Sequence, residues 1–328
     1  MNNRLTSYQS AALMLCFTLA RLIAYRPSGD SLAVTALAEA VSCIGMFIIC
    51  LPAVKLPSAG KLGDKLLAFI YAAYCLFALT VLLTDFAGAM QYSFPNFYSS
   101  AAIVVALAAA AAYCASMGLS GCAKAACAAV VLTLAAFALM TAGACSGFSF
   151  ERLNIAVPDR GEQFKRSLFS SFAYTAELPL LISLMRRRTS KPVKAAGLYF
   201  ALRALLWIAA LTVCSAVLGD YAVTGQPFWS LAAFAKTSVI ERFDALILLF
   251  WTLCTLLSAA ALLICFKLRV DTLFPNLSRY SLVAAVLPAG ASLAFTHLGI
   301  ARPAIVIPAA AAALGAAAAA FGKRRAEQ

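Results

Sequence analysis

Charged residues are scarce in this sequence, and histidine is almost absent. Only 12% of the 328 residues are Asp, Glu, Lys or Arg, whereas 63% are hydrophobic. A soluble domain contains about 25% charged residues, so this composition excludes a soluble globular protein and indicates an integral membrane protein. The first apolar stretch continues without a small-residue cleavage site, so we expect a membrane span there and not a cleavable signal peptide.

The sequence also lacks the patterns that metal sites and catalytic sites require. His297 is the one histidine, and none of the 11 cysteines forms a Cys-x-x-Cys pair. We therefore expect no zinc site, no other metal site and no disulfide framework. The sequence contains no recognisable set of nucleophile, base and orienting group, and no glycine-rich phosphate loop. It accordingly predicts no catalytic residues, no cofactor and a protein that is not an enzyme.

The net charge of +13 follows the positive-inside rule and does not indicate a nucleic-acid-binding protein. Basic residues occur in short runs between apolar segments, and most of them fall on one side when these segments are taken as alternating membrane spans. The longest run is Arg186-Arg-Arg-Thr-Ser-Lys-Pro-Val-Lys194. This distribution predicts contact with the lipid bilayer, no nucleic-acid partner and cytoplasmic positions for both termini.

Apolar runs long enough to cross a bilayer recur along the whole chain. A spanning helix needs about 20 apolar residues, and on this basis we predict ten spans in one transmembrane domain of residues 1–328. Because five is an odd number, a second half of five spans enters the membrane from the opposite side. The sequence therefore predicts an all-α polytopic membrane protein built as a 5+5 inverted repeat, with interrupted helices 1 and 6. Repeat one covers about residues 8–145 and repeat two about residues 167–321. The predicted spans, whose boundaries are accurate to within several residues, are 8–25, 31–54, 66–90, 97–115, 121–145, 167–185, 193–218, 243–268, 280–298 and 302–321.

The sixth predicted span carries a carboxylate and a proline near its middle. Ser167, Ser170, Tyr174 and Glu177 fall at helical spacing and should line one face of the helix. Pro179 lacks an N–H group, so a carbonyl one turn earlier loses its usual partner. Since neither a freed carbonyl nor a carboxylate is stable against lipid, this face should line protein or a wet cavity.

Three charges in other predicted spans are further candidates for the site. Arg21 is the charge of the first span, and its guanidinium suits a ligand carboxylate; the alternatives are a direct pair with Glu177 or a side chain that reaches the outer interface. We interpret Glu39 in the second span and Arg203 in the seventh as gating or packing charges, with extension to the cytoplasmic interface as the alternative for Arg203. The candidate ligand-binding residues are Glu177, Arg21, Tyr174, Thr175, Ser170 and Ala20.

Six short motifs are spread over nearly the whole chain. They are Leu5-Thr-Ser-Tyr-Gln9, Pro95-Asn96, Tyr113-Cys-Ala-Ser-Met-Gly-Leu-Ser-Gly-Cys-Ala-Lys124, Ala176-Glu-Leu-Pro179, Gln226-Pro-Phe-Trp229 and Ile240-Glu-Arg-Phe-Asp244. In sequence and in order these motifs resemble those of the B subunit of spore-germination receptors, the endospore germination permease family. The resemblance implies a ten-helix inverted-repeat bundle of the amino acid–polyamine–organocation superfamily.

The resemblance also implies a location and partners. It implies a protein of the spore inner membrane that senses a small germinant, often an amino acid, together with a membrane A subunit and a lipoprotein C subunit. Superfamily transporters often have glycines at the break in helix 1, where this chain reads Leu19-Ala-Arg-Leu22. Arg21 is thus the residue expected to bind the carboxylate of the ligand, in place of bare backbone N–H groups. A secondary active amino acid or cation permease fits the same repeat and buried charges and is kept as the alternative function.

Replacing Glu177 by glutamine tests the site that the sequence predicts. The amide keeps the shape of the side chain and removes the charge that would bind an amino group, so the response to ligand should be lost while the protein stays in the membrane. Germination response and the amount of protein in the membrane fraction are measured together. If the variant disappears from the membrane fraction, Glu177 is a structural residue and the site assignment is wrong.

Overall fold

The computed structural model describes residues 5–25, 27, 31–55, 61–93, 99–153, 160–173, 189–219, 226–235, 243–274 and 286–298. Helices make up nearly all of these residues. Two short 3₁₀ turns, Cys145–Gly147 and Phe150–Leu153, interrupt the series. The prediction of an all-α protein is confirmed. The α-helices of the described residues are α1 (Ser7–Ile23), α2 (Leu32–Lys55), α3 (Lys61–Ser93), α4 (Ser100–Ser116), α5 (Gly118–Ala144), α6 (Arg160–Ala173), α7 (Pro192–Leu218), α8 (Pro227–Phe234), α9 (Phe243–Leu273) and α10 (Val286–Leu298).

Five stretches of these helices are long and apolar enough to cross a membrane. They lie in α2, α3, α5, α7 and α9, while α1 and α4 are shorter apolar helices. The chain is therefore an integral membrane protein. The five stretches are Leu32–Leu51, Ala68–Gln91, Gly118–Gly147, Pro192–Leu218 and Phe243–Leu273.

The helices agree with most of the predicted spans. Spans one to five, seven and eight each correspond to one helix, with boundaries within a few residues. Helices α6 and α10 cover parts of the sixth and ninth spans. The tenth predicted span, 302–321, lies outside the described residues.

Local sequence signals start and connect several helices. Thr6 caps α1 in a capping box, in which the Gln9 N–H donates to the Thr6 hydroxyl at 3.2 Å and the Thr6 N–H donates to the Gln9 side chain at 3.0 Å. These two bonds satisfy N–H groups that a helix start leaves without partners. Between α4 and α5 the chain turns at Gly118, whose φ of +83° is available to glycine without strain. The two helices therefore follow each other with almost no loop.

Helix α1 is surrounded by protein and runs without a break. Nearly all its residues are buried, and it contacts α5, α7 and α9. The predicted interruption of the first crossing is wrong for these residues, because the helix is continuous from Ser7 to Ile23 and contains no Gly or Pro to break it. The predicted interruption of the sixth crossing at Pro179 lies outside the described residues.

The start of α1 is attached to the segment that precedes α7. The hydroxyl oxygens of Ser10 and Thr189 lie 2.8 Å apart. The Ser7 hydroxyl donates to the Lys191 carbonyl at 3.3 Å, and the Ser190 N–H donates to the Leu5 carbonyl at 3.1 Å. These contacts join positions about 180 residues apart in the chain and fix the start of α1 relative to α7.

The helices pack around two long elements. Helix α9 packs against α1, α3, α4 and α5, and helix α2 packs against α6 and α7. The α2–α6 contact is close at Gly45, where a Cβ atom would lie 2.9 Å from Cζ of Phe172. Gly45 thus lets the Phe172 ring approach the backbone of α2.

A larger side chain at Gly45 should force α2 and α6 apart. We expect Gly45→Ile to lower the free energy of unfolding by about 2 kcal/mol, as overpacking typically does, and Phe172→Ala to recover part of that loss in the same background. Unfolding in bicelles provides the measurement. Gly290→Ile is the matched control, because no atom lies within 4 Å of a Cβ built there. Equal losses at positions 45 and 290 would contradict the proposed contact.

Candidate functional site

The most distinctive feature of the bundle interior is a carboxylate that binds two arginines. Oε1 of Glu39 lies 3.2 Å from Nη2 of Arg21, and Oε2 lies 3.2 Å from Nη2 of Arg203. The side chains of Glu39 and Arg203 are 3% and 0% exposed, and that of Arg21 is 22% exposed. We call these three residues the ion cluster. It joins α1, α2 and α7 within the bundle.

A buried charge of this kind is stable only with its partners. Charges at membrane depth are costly and generally pair with one another or face an aqueous path. Each Glu39 oxygen contacts one guanidinium, so the carboxylate bridges the two arginines. The alternative that Arg203 extends to the cytoplasmic interface is wrong, because its side chain is fully buried and paired with Glu39. The structure therefore brings together three charges that lie in separate predicted spans.

The position of each arginine follows from its helix. Arg21 lies in the last turn of α1, where a cation interacts favourably with the helix dipole. Arg203 lies in the middle of α7 and donates through Nη1 to the hydroxyl of Tyr199 at 3.3 Å, one turn earlier on the same face. The Tyr199 hydroxyl in turn lies 3.3 Å from the Thr18 hydroxyl. A hydrogen-bond path thus returns from α7 to α1.

Two tryptophans hold the last turn of α1. The Arg21 guanidinium lies over the Trp207 ring, 5.5 Å from its centroid, at a distance that allows a cation–π interaction. Tyr25 packs edge-on against the same ring at 5.3 Å. On the other side, Nε1 of Trp251 donates to the Ala20 carbonyl at 3.0 Å. The carbonyl of Ala20, a predicted ligand-binding residue, therefore already accepts a hydrogen bond in this structure.

A row of polar contacts joins α2 to α6 beside the ion cluster. The Ser31 N–H donates to the Gln163 side chain at 3.3 Å, the hydroxyls of Thr35 and Ser167 lie 3.4 Å apart, and those of Ser42 and Ser171 are hydrogen-bonded. The Ser171 hydroxyl also interacts with the Glu39 carboxylate. We call this row the polar seam. It connects α6 to the ion cluster through α2.

The seam identifies residues that sequence reasoning missed. The predicted polar face followed the spacing from Ser167 to Ser170, whereas Ser171, four residues after Ser167, contacts α2. The spacing of Gln163, Ser167 and Ser171, one residue in every four, is the signal that could have identified this face. Ser170 itself is half-buried. Tyr174, Thr175 and Glu177 lie outside the described residues, so their role in the site stays a prediction.

Nothing in the described part of the chain resembles a metal centre. No group of three or more His, Cys, Asp or Glu side chains lies close enough there to hold an ion. All 11 cysteines are free thiols. The ion cluster and the polar seam supply the polar groups of the candidate site.

The fold is that of a known class of membrane transporter. The chain superposes on Mhp1, a nucleobase-cation-symport-1 family transporter solved in a closed conformation with bromovinylhydantoin bound, with a TM-score of 0.59 and 15% identity. The match covers 94% of this chain and 76% of the transporter. Together with the apolar helices, this fold defines an all-helical polytopic membrane protein.

Sequence comparison then gives the family. Residues 57–297 match the spore permease family, described as spore germination protein. This match covers most of the 328 residues, and the chain belongs to that family. The resemblance seen in the motifs is thereby confirmed. No curated protein matches the chain closely.

Removing one member of the ion cluster should destabilise the bundle. We expect Arg203→Met to lower the free energy of unfolding by about 3 kcal/mol, because it leaves a buried carboxylate without one of its cations. The double variant Arg203→Met/Glu39→Gln should lose less than the sum of the two single variants. Unfolding in bicelles measures all three.

An exposed ion pair provides the control for these variants of Arg203 and Glu39. Lys165 and Glu162 are 2.8 Å apart, but their side chains are 73% and 69% exposed, so Lys165→Met should change stability very little. Additive losses for Arg203 and Glu39 would show that the two side chains do not stabilise each other.

Proposed function

We propose that this protein is the germinant-sensing membrane subunit of a spore-germination receptor. It binds a small molecule, with an amino acid as the favoured class, in a midplane cavity between the first and sixth crossings. Membership of the spore germination family carries this proposal. The ligand-binding residues of the proposal remain those predicted from the sequence, with Glu39 and Arg203 as gating or packing charges.

The chemistry of the ion cluster supports a ligand site at the end of α1. A guanidinium is a planar donor that suits a carboxylate, and Arg21 is the partly exposed arginine of the cluster. Glu177 of the sixth crossing is proposed to bind the amino group of the same ligand. An amino acid would then interact with one charge from each of the two crossings.

Contacts between helices support the proposed 5+5 inverted repeat. Helices of repeat one contact their proposed counterparts in repeat two: α2 contacts α7, α3 contacts α9, and α4 contacts α10. Two further pairs of contacts are equivalent: α1–α7 corresponds to α6–α2, and α3–α10 corresponds to α9–α4. A twofold axis between the two halves produces such a pattern, and transporters of this design bind their ligands near the midplane.

The proposed assembly follows the family. The protein lies in the spore inner membrane with both termini cytoplasmic, and it signals to a membrane A subunit and a lipoprotein C subunit. Ligand binding favours one arrangement of the two half-bundles by its differential affinity for the two states. The partner subunits respond to that change.

A second candidate function is a secondary active amino acid or cation permease. The fold shared with a nucleobase-cation symporter and the charges buried in the bundle favour it. Purified protein in liposomes separates the two functions. Ligand binding without net uptake supports the sensor, whereas saturable, gradient-driven uptake supports the permease.

Deleting the gene from its spore-former tests the proposed function directly. We expect spores to lose germination in response to at least one single amino acid, and the intact gene to restore it. The decrease in optical density that accompanies germination is the measurement. Spores that respond unchanged to every amino acid would contradict the proposal.

A further inference from the structure

We propose that the Glu39 carboxylate occupies the position beside the Arg21 guanidinium that the carboxylate of a bound ligand takes. The site is thus closed by an internal carboxylate, and its ligands are small molecules that carry a carboxylate group. This inference rests on the proposed function for its biological setting, but its physical content concerns the ion cluster alone. It assigns Glu39 the role of a competitor for the ligand.

The two contacts of Glu39 are alike in length but differ in surroundings. Each joins one nitrogen to one oxygen at 3.2 Å, which is longer than the 2.7–2.9 Å of a strong charge-assisted hydrogen bond, as a rough guide. Arg203 is fully buried in the middle of its helix and also binds Tyr199. Arg21 is partly exposed, two residues before α1 ends. The contact to Arg21 is therefore the one that can exchange.

Charge balance determines which ligands can exchange with Glu39. Separating Glu39 from Arg21 without replacement would break an ion pair whose carboxylate is buried, which is costly. A ligand carboxylate replaces that charge one for one and can approach the guanidinium with both oxygens. An amide or an ester of the same shape cannot, because it carries no charge. The cluster thereby discriminates against uncharged analogues.

The surroundings of the cluster give the exchange a mechanical consequence. Glu39 would keep its contact with Arg203, so α2 stays bound to α7 while its link to α1 is released. The Ser42 hydroxyl binds both the Glu39 carbonyl, at 2.8 Å, and Ser171 of α6. A displacement of α2 at Glu39 therefore acts directly on the polar seam. Trp207, stacked on Arg21, provides a fluorescent reporter of the exchange.

The experiment removes the internal carboxylate and supplies one from solution. Full-length protein carrying Glu39→Ala is purified in nanodiscs, and its melting temperature is measured with sodium acetate, with sodium chloride at equal ionic strength and with acetamide. Acetate should raise the melting temperature by several degrees more than chloride, since a ligand that binds only the folded state stabilises it. Acetamide, which is neutral and similar in shape, should not.

Two control variants make the test specific. In the double variant Glu39→Ala/Arg21→Met the stabilisation by acetate should disappear, because the proposed binding group is absent. Glu162→Ala removes an exposed carboxylate that pairs with Lys165 and should show no effect specific to acetate. Stabilisation that persists without Arg21, or a response to acetate no larger than that to chloride, would overturn the proposal.

A second variant covers the case in which Glu39→Ala does not fold. Glu39→Gln keeps the volume of the side chain and removes its charge, and acetate should bind it at least tenfold more tightly than it binds the wild type, measured by tryptophan fluorescence. Equal affinities would overturn the proposal. Because acetate is the probe, the result is independent of which germinant the spores use. Loss of the germination function would thus be distinguishable from failure of the exchange.

Discussion

A carboxylate enclosed by the bundle is stable only when cations or hydrogen-bond donors surround it, and this requirement relates three helices to one another. In a medium of low dielectric constant an unpaired charge is far more costly than in water, and Glu39 of α2 is paired with both Arg21 of α1 and Arg203 of α7. Ion pairing of this kind adds specificity of register even where its net contribution to stability is small. The contacts at 3.2 Å fix the depth and rotation of α2 relative to α1 and α7.

The burial of α1 makes its two ends important. A helix that is apolar all round is normally enclosed by others, and α1 is enclosed by α5, α7 and α9. Its start is held by hydrogen bonds to the segment before α7, and its last turn by Trp207 and Trp251. Movement of α1 therefore requires exchange of polar contacts at both ends. A ligand that acts on Arg21 acts at one of these two ends.

The helices were predictable from the sequence, but the ion cluster was not. A long apolar run bounded by charges is a strong local signal, which is why α2, α3, α5, α7 and α9 were found close to their observed limits. The sequence gives the depth of Glu39 and Arg203 but not the directions of their side chains, since those depend on contacts between residues 164 positions apart. The predicted break in α1 came from the inverted-repeat design of transporters, whereas its own residues form a continuous helix.

The energy available from the ion cluster limits how the proposed sensor can work. Converting a 1:99 population of two states into 99:1 requires about 5.5 kcal/mol of differential affinity, whereas one hydrogen bond to a charged group contributes about 1.5–3 kcal/mol. Exchange of Glu39 for a ligand carboxylate therefore cannot reverse a strongly biased equilibrium alone. Either the closed state is only slightly favoured, or a second contact, such as that proposed for Glu177, supplies the remainder.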